Sequence, residues 1–86
     1  MTYAEQLELR IEAMVGRGWQ AAFARAIGRH STKINLQFRR DKVEVYVMVI
    51  VELMEACPVD RWPVRFDELR GRAEKLAARR AVEVPA

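Results

Sequence analysis

Apolar residues recur at intervals of three and four in the first part of the chain, which is the spacing of one face of an α-helix. Thr2 and Glu5 form a T-x-x-E capping box at the start of this pattern, a frequent helix start. Gly16 follows it and supplies a C-terminal stop. The pattern therefore predicts a first helix between these signals. The expected buried face consists of Tyr3, Leu7, Ile11 and Met14.

A second helix is predicted from Trp19 to Ile27, where every fourth residue is apolar. Phe23 is the middle member of that stripe, and alanines occupy most of the other positions. Alanine is a strong helix former, and its small side chain lets a neighbouring helix approach closely. Gly28 then ends the helix, in the left-handed backbone conformation that a tight turn requires.

A third helix is expected to run to about Arg40, with Ser31 or Thr32 as its cap. Ile34 and Phe38 are four residues apart and form its buried pair. At about 100° per residue, the rest of this helix presents mostly hydrogen-bond donors and cations. These outward positions are Thr32, Lys33, Leu36, Arg39 and Arg40, with Asn35 and Gln37 at the two edges.

The next run, VEVYVMVIV, is rich in β-branched residues, so a strand has to be weighed against a helix. A helix from Val43 to about Ala56, capped by the D-x-x-E of Asp41 and Glu44, is favoured for two reasons. No turn residue or second strand follows to complete a hairpin. The glutamates of this segment also fall within about 80° on a helical wheel, and everything outside that strip is apolar. Such a helix is either the central core element or the carrier of a dimer interface.

Pro58 breaks the fourth helix, and residues 58–62 (PVDRW) are expected to form a linker. Pro63 suits the first turn of a fifth helix, whose apolar residues again have helical spacing. Those residues are Phe66, Leu69, Ala73 and Leu76. The sequence thus predicts an all-α compact bundle of about five helices, in a single domain over residues 1–80. Residues 81–86 (AVEVPA) are expected to form a flexible tail.

The 86 residues are 51% hydrophobic and 31% charged, a balance typical of a globular domain. Cys57 is the single cysteine, which excludes an internal disulfide, and no Cys and His cluster has zinc-ligand spacing. No apolar run reaches the roughly 18 residues that a membrane-spanning helix needs, and a signal-peptide pattern is missing, so a cytoplasmic protein is expected. His30 has no partner positioned to make it a catalytic base. We therefore expect no enzyme, no cofactor and no metal site.

Charge is distributed unevenly along the chain. Residues 16–42 carry seven Lys and Arg residues against one acidic residue, a net charge of +6, whereas residues 43–68 have two against six, a net charge of −4. Positive charge concentrated on the segment of the second and third helices is the electrostatic pattern of a phosphate-facing surface. The cations after residue 68 are interpreted as a solvated face, with a second phosphate contact as the alternative.

The segment GWQAAFARAIGRHSTKINLQFRRD combines a small residue inside its first helix, a glycine at the turn and an apolar anchor early in its second helix. It resembles the helix-turn-helix of lambda-repressor-like and Cro-like regulators. Gln20, Ala24, Gly28 and Ile34 stand at the first, fifth, ninth and fifteenth positions of that motif. The resemblance implies a central DNA-binding motif at residues 19–40.

Those regulators usually have a second apolar residue three positions after the anchor, where this chain has Gln37, and Phe38 takes that role one residue later. The resulting spacing is similar to the helix-turn-helix of bacterial insertion-sequence transposases, whose turns often read Gly-Arg-His and end in Arg-Arg, as in GRHSTKINLQFRRD. The linker PVDRWP resembles that of small phage-derived regulators of proteobacteria.

By these resemblances, Ser31, Thr32 and Leu36 occupy base-reading positions, and Gln20 holds a phosphate. Leu36 has an equal alternative as an extra core residue, if the helix is rolled about its axis. Lys and Arg neutralise phosphates and donate to guanine, and a leucine methyl group can contact a thymine methyl group. The predicted DNA-contacting residues are Gln20, Arg29, His30, Ser31, Thr32, Lys33, Asn35, Leu36, Arg39 and Arg40.

The predicted function is sequence-specific binding of double-stranded DNA for transcriptional regulation in the bacterial nucleoid, with the helix of about residues 31–40 in the major groove. A homodimer on a pseudo-palindromic site is expected, because the fourth helix carries more apolar surface than so small a core can bury. Two alternatives stay open. One is a helical protein–protein module that docks on RNA polymerase or another regulator, and the other is a DNA-binding fragment of a larger recombinase or activator.

Overall fold

The computed structural model describes residues 1–83, which form five α-helices and two single-turn 3-10 helices, with no strand among these residues. The α-helices are α1 (Tyr3–Val15), α2 (Gln20–Ile27), α3 (Ser31–Arg39), α4 (Val45–Ala56) and α5 (Asp67–Glu83). The 3-10 helices, Val59–Arg61 and Val64–Phe66, lie between α4 and α5. The predicted all-α bundle of about five helices is confirmed.

One hydrophobic core joins the five helices. Its largest fully buried side chains are Trp19, Phe23, Leu7, Ile11, Ile34, Leu69, Val15, Val47 and Val51. The inward face of α1 differs at its ends from the predicted one, because Ala4 and Val15 are buried whereas Tyr3 is exposed and Met14 is half-buried. The helical period was therefore predicted correctly, Tyr3 was wrong, and Met14 packs only partly buried against the core.

Trp19 immediately precedes α2, and its ring lies at the centre of an aromatic cluster. The ring packs edge-on against Phe23 and Phe38, with centroid distances of 5.5 Å and 5.1 Å. This geometry is favourable because the positive edge of one ring meets the negative face of another. The cluster ties the start of α2 to the later part of α3. Ile27, the third member of the predicted stripe, is half-buried.

The capping box predicted at the start of α1 is confirmed, with Thr2 Oγ1 accepting a hydrogen bond from the Glu5 N–H at 3.2 Å. The cap predicted for α4 is wrong: the helix begins two residues later than expected, and Glu44 precedes it without a side-chain cap bond. Asp41 instead accepts a hydrogen bond at Oδ1 from the Ala4 N–H at 2.9 Å. Asp41 has a φ of 53°, which aspartate tolerates better than most residues. It therefore ends α3 and satisfies a free amide at the start of α1.

The connection from α4 to α5 folds over the buried side chain of Trp62. The Trp62 indole N–H donates to the carbonyls of Met54 at 3.2 Å and Cys57 at 3.3 Å. These carbonyls belong to the end of α4, where a helix has no internal donors left. Pro63 opens the second 3-10 helix rather than α5, which begins at Asp67. The predicted linker is thus an ordered corner.

α5 extends further than the sequence predicted. It continues to Glu83, past the expected domain boundary at residue 80, so the first part of the predicted flexible tail is helical. The rest of that tail, residues 84–86, lies outside the described residues.

Two arginine–carboxylate pairs fasten helices that are distant in sequence. Arg10 of α1 donates to both carboxylate oxygens of Glu55 in α4, and Arg25 of α2 donates to both oxygens of Glu68 in α5. The hydrogen bonds from each guanidinium hold the pKa of the paired glutamate below its ordinary value. All four side chains are at least 34% exposed, so the pairs orient the helices more than they stabilise the fold.

Candidate nucleic-acid interface

α2 and α3 are joined by a turn at residues 28–30, where the sequence predicted one. Gly28 has a φ of 71° and a ψ of 32°, a left-handed conformation that glycine adopts without strain. The Arg29 N–H donates to the Ala24 carbonyl at 2.8 Å, and the Gly28 N–H donates to the Arg25 carbonyl at 3.3 Å. These two bonds form a Schellman motif, which closes α2. The chain turns sharply enough for α3 to pack against α2.

The inward face of α3 consists of Ile34 and Phe38, as the spacing predicted. Ile34 has no exposed surface, and Phe38 packs partly buried against the core. Leu36 is half-buried. Its position therefore lies between the two alternatives, a core residue and a freely projecting one.

Gln37 occupies the position at which repressor-like motifs carry an apolar residue, and here it bridges α3 to α4. Its Nε2 donates to the Tyr46 hydroxyl at 3.1 Å, and its Oε1 accepts from the Glu44 N–H at 3.0 Å. An amide side chain fits because it both donates and accepts. The Gln37 bridge therefore holds α3 in one orientation about its axis relative to α4.

The outward side of α3 and the turn before it hold most of the predicted contact residues. Those that are exposed are Arg29, His30, Thr32, Lys33, Asn35, Arg39 and Arg40, and those that are half-buried are Gln20, Ser31 and Leu36. The cap predicted at Ser31 or Thr32 is wrong. Ser31 is the first residue of α3, and His30 precedes it without a side-chain cap bond. Neither hydroxyl group is therefore used to close the helix.

The N-terminal ends of α2 and α3 have neither a side-chain cap nor an acidic residue in the first turn. The first amides of a helix lack partners inside it, and the helix dipole places partial positive charge there. Phosphate oxygens bind readily at such ends. Gln20 begins α2 and Ser31 begins α3, so both of these predicted phosphate or base contacts stand at uncapped ends.

The cations of residues 16–42 are not equally available. Arg25 is paired with Glu68, and the Arg29 guanidinium lies over the Tyr46 ring, 5.3 Å from its centroid. Among the described residues, the cations of this segment that have no acidic partner at salt-bridge distance are Arg17, Arg29, Lys33, Arg39, Arg40 and Lys42. Most of the free positive charge therefore lies on α3 and at its end.

An open depression beside α3 marks one edge of the basic surface. Gln20, Asn35 and Arg39 meet there, although Gln20 belongs to α2. Glu5 and Glu8 of α1 also line this depression. Carboxylates repel anions, so the basic surface of α3 is bounded on this side by the acidic start of α1.

One cation near the α2–α3 turn was not predicted from the sequence. Arg65 Nη2 lies 3.7 Å from the position that a Cβ would take at Gly28. Arg65 belongs to the 3-10 helix Val64–Phe66 and reaches the turn only through the tertiary fold. No local pattern could therefore have signalled it.

Within the part of the chain that the structure describes, no group of three or more His, Cys, Asp or Glu side chains could hold a metal ion. None of the described helices is long and apolar enough to cross a membrane. No protein-family model matches the chain, and neither a curated protein nor a solved structure matches it. Its function is therefore inferred from the geometry and charge of its surface.

Proposed function

We propose that this protein is a helix-turn-helix regulator that binds double-stranded DNA sequence-specifically, with α3 in the major groove. The observation that carries the proposal is the outer face of α3, where exposed donors and cations lie next to two uncapped helix ends. A major groove about 12 Å wide admits one α-helix. α3 fits this role because only Ile34 among its residues is fully buried, and Thr32, Lys33, Asn35 and Arg39 are exposed to a ligand.

Base recognition falls to the exposed residues of the first turns of α3, Thr32, Lys33 and Asn35. Lysine donates to guanine, asparagine forms paired hydrogen bonds with adenine, and threonine donates or accepts. Arg39 and Arg40, at the far end of α3, contact phosphates and set the position of the helix in the groove. Leu36 places its exposed part against a thymine methyl group.

The remaining predicted residues supply phosphate contacts on both flanks of α3. Gln20 binds a phosphate together with the free amides at the start of α2. A phosphate at the start of α3 is bound in the same way, by Ser31, His30 and Arg29. Contacts of this kind fix the register of the protein on the duplex without reading its sequence.

The protein acts in the cytoplasm as a homodimer, in which two copies of α3 read the two halves of a pseudo-palindromic site. Val45, Val49 and Leu53 form an exposed apolar row along α4, one helical turn apart. The row is symmetric about Val49, so two antiparallel copies of α4 bring Val45 of each copy opposite Leu53 of the other. Two α3 helices then occupy half-sites about 34 Å apart, or a multiple of that distance.

A salt titration with a random-sequence duplex tests the proposal. The logarithm of the binding constant should fall linearly with the logarithm of salt concentration, by about 0.9 for each phosphate contact. Arg39→Gln/Arg40→Gln should weaken binding on the order of tenfold or more and lower the slope, while helicity by circular dichroism stays unchanged.

The matched control is Arg61→Gln/Arg70→Gln, which removes the same charge from outside the α2–α3 segment. It should bind as the wild-type protein does. Wild-type protein that does not bind duplex DNA, or whose binding ignores salt, overturns the proposal. Selection from a random duplex pool then identifies the preferred site, and the absence of any enriched sequence removes the claim of specificity.

A second candidate function is a protein–protein module that docks on RNA polymerase or another regulator. The apolar row of α4 favours it, because that row continues into a groove lined by Ile50, Leu53 and Trp62. A DNA-binding fragment of a larger recombinase or activator uses the same α3 surface. Failure of the duplex titration, together with loss of partner binding in Leu53→Glu, favours the docking module.

A further inference from the structure

α5 runs antiparallel to α2 and continues past its first residue. Near its start, Glu68 accepts two hydrogen bonds from Arg25, toward the end of α2. One turn later, Arg72 Nη1 donates to the Arg17 carbonyl at 3.2 Å, in the loop just before α2. Residues after Arg72 therefore project beyond the N-terminal end of α2, which is the end that faces phosphate in the proposed complex.

The projecting part of α5 and the end of α1 form a basic cleft of about 620 Å³. The cleft is lined by five cations and by one acidic residue, Glu12. The cations are Arg17, Arg72, Lys75, Arg79 and Arg80. The cleft is thus electropositive and opens beside the start of α2.

The cations of the cleft differ from the other arginine of α5. Arg70 lies about 200° around the helix from Arg72 and pairs with Asp67 and Glu74 on its own helix. Among residues 1–82, no acidic side chain is at salt-bridge distance from the five cations of the cleft. One face of α5 therefore pairs its arginine with carboxylates of the same helix, and the other face, as far as residue 82, presents an excess of positive charge.

We propose that the basic cleft binds phosphates of the same duplex, next to those held at the start of α2. The proposal rests on the proposed function and adds a second, sequence-independent contact. Arg72 and Arg79 are seven residues apart, which is about 10.5 Å along a helix. A DNA strand presents one phosphate per roughly 3.4 Å of duplex axis, so this face spans about two or three phosphates. The cations near the C-terminus are then a ligand surface rather than a solvated face.

The test compares two variants of the full chain in salt titrations with a random-sequence duplex. Lys75→Gln/Arg79→Gln changes two exposed residues of the cleft whose side chains make no hydrogen bond among the described residues, and glutamine preserves helix propensity. Arg61→Gln/Arg70→Gln removes equal charge, at Arg61 in the 3-10 helix Val59–Arg61 and at Arg70 on the neutralised face of α5. The cleft variant should lose about 1.8 from the salt slope and on the order of tenfold in affinity near physiological salt. The control should keep the wild-type slope.

The outcomes separate the cleft from the proposed function. If the cleft variant keeps the wild-type slope and affinity while Arg39→Gln/Arg40→Gln loses binding, the cleft is a solvated face and DNA binding by α3 stands. Equal losses in the cleft variant and its control indicate a general charge effect and also overturn the proposal. If the wild-type protein binds no duplex, both proposals fall together. Circular dichroism on each variant verifies that the fold is retained.

Discussion

α3 and α4 follow each other in the chain, yet they leave opposite kinds of surface outside the core. α3 fully buries only Ile34 and exposes polar and cationic side chains. α4 buries three residues and still exposes an apolar row, Val45, Val49 and Leu53. Cations and amides are well solvated in water, whereas an apolar row is stabilised only when another surface covers it. The two faces therefore suit different partners, and substitutions on them should have separable effects.

The largest effect is expected where α3 is attached to the core. Ile34→Ala removes its only fully buried side chain and should lower the free energy of unfolding by about 2–5 kcal/mol. Chemical denaturation measures this value. Asn35→Ala, one residue away on the exposed side, is the control and should change stability by about 0.5 kcal/mol or less. A loss below about 1 kcal/mol for Ile34→Ala would mean that the aromatic cluster, not Ile34, holds α3.

Leu53→Glu tests the exposed apolar row of α4. Leu53 is 58% exposed, so the substitution should leave the folded monomer about as stable, within about 0.5 kcal/mol. Sedimentation equilibrium should show at least tenfold weaker self-association, because two buried carboxylates would lack partners in a dimer. Glu52→Gln, beside the row, is the control. Unchanged association in Leu53→Glu would remove α4 as the dimer interface.

Asp41 lies between α3 and α4, where one kind of surface gives way to the other. Asp41→Ala loses the hydrogen bond to the Ala4 amide and places alanine at positive φ, so it should destabilise the protein by about 1–2 kcal/mol. Asp41→Asn keeps a side-chain oxygen and tolerates the same backbone conformation, so it should retain most of the stability. Thermal unfolding compares the two. If Asn is as damaging as Ala, the hydrogen bond to α1 is not the cause.

The smallest expected effect is the dependence of the free energy of unfolding on pH. The pKa values of Glu55 and Glu68 are lowered in the folded state, because Arg10 and Arg25 donate hydrogen bonds to their carboxylates. Their contribution is therefore present above the ordinary glutamate pKa and is lost as pH falls through the lowered, folded-state values. Arg10→Gln should therefore lower the stability slightly at neutral pH and leave it unchanged at pH values below the folded-state pKa of Glu55, which flattens the acid limb of the stability curve. Denaturation series at neutral and acidic pH measure this, and identical curves for both proteins would contradict it.

The sequence predicted the parts of the fold that depend on neighbours in the chain. The five helices, the turn at Gly28 and the Ile34–Phe38 pair all follow from local spacing and turn chemistry. The roles of Asp41 and Arg25 were not predicted, because each depends on a partner far along the chain, Ala4 and Glu68 respectively.

The candidate site was predicted to a similar extent. Helical spacing placed Lys33, Arg39 and Arg40 on the exposed side of α3, and the structure agrees. Spacing could not decide the position of Leu36, because the orientation of α3 depends on the Gln37 bridge to α4. Nor could it reveal Arg65 beside the turn, since only the tertiary fold brings that residue there.

The depression that joins α1 to α3 has a practical consequence for work on this protein. Thr2 and Glu5 share it with Asn35 and Arg39, so the amino end of the chain lies at the rim of the candidate DNA surface. A purification tag or fluorophore attached before Met1 would stand where the duplex is expected to approach. A label on Cys57 is better placed, because that residue is exposed at the end of α4, on a different helix from the contact residues.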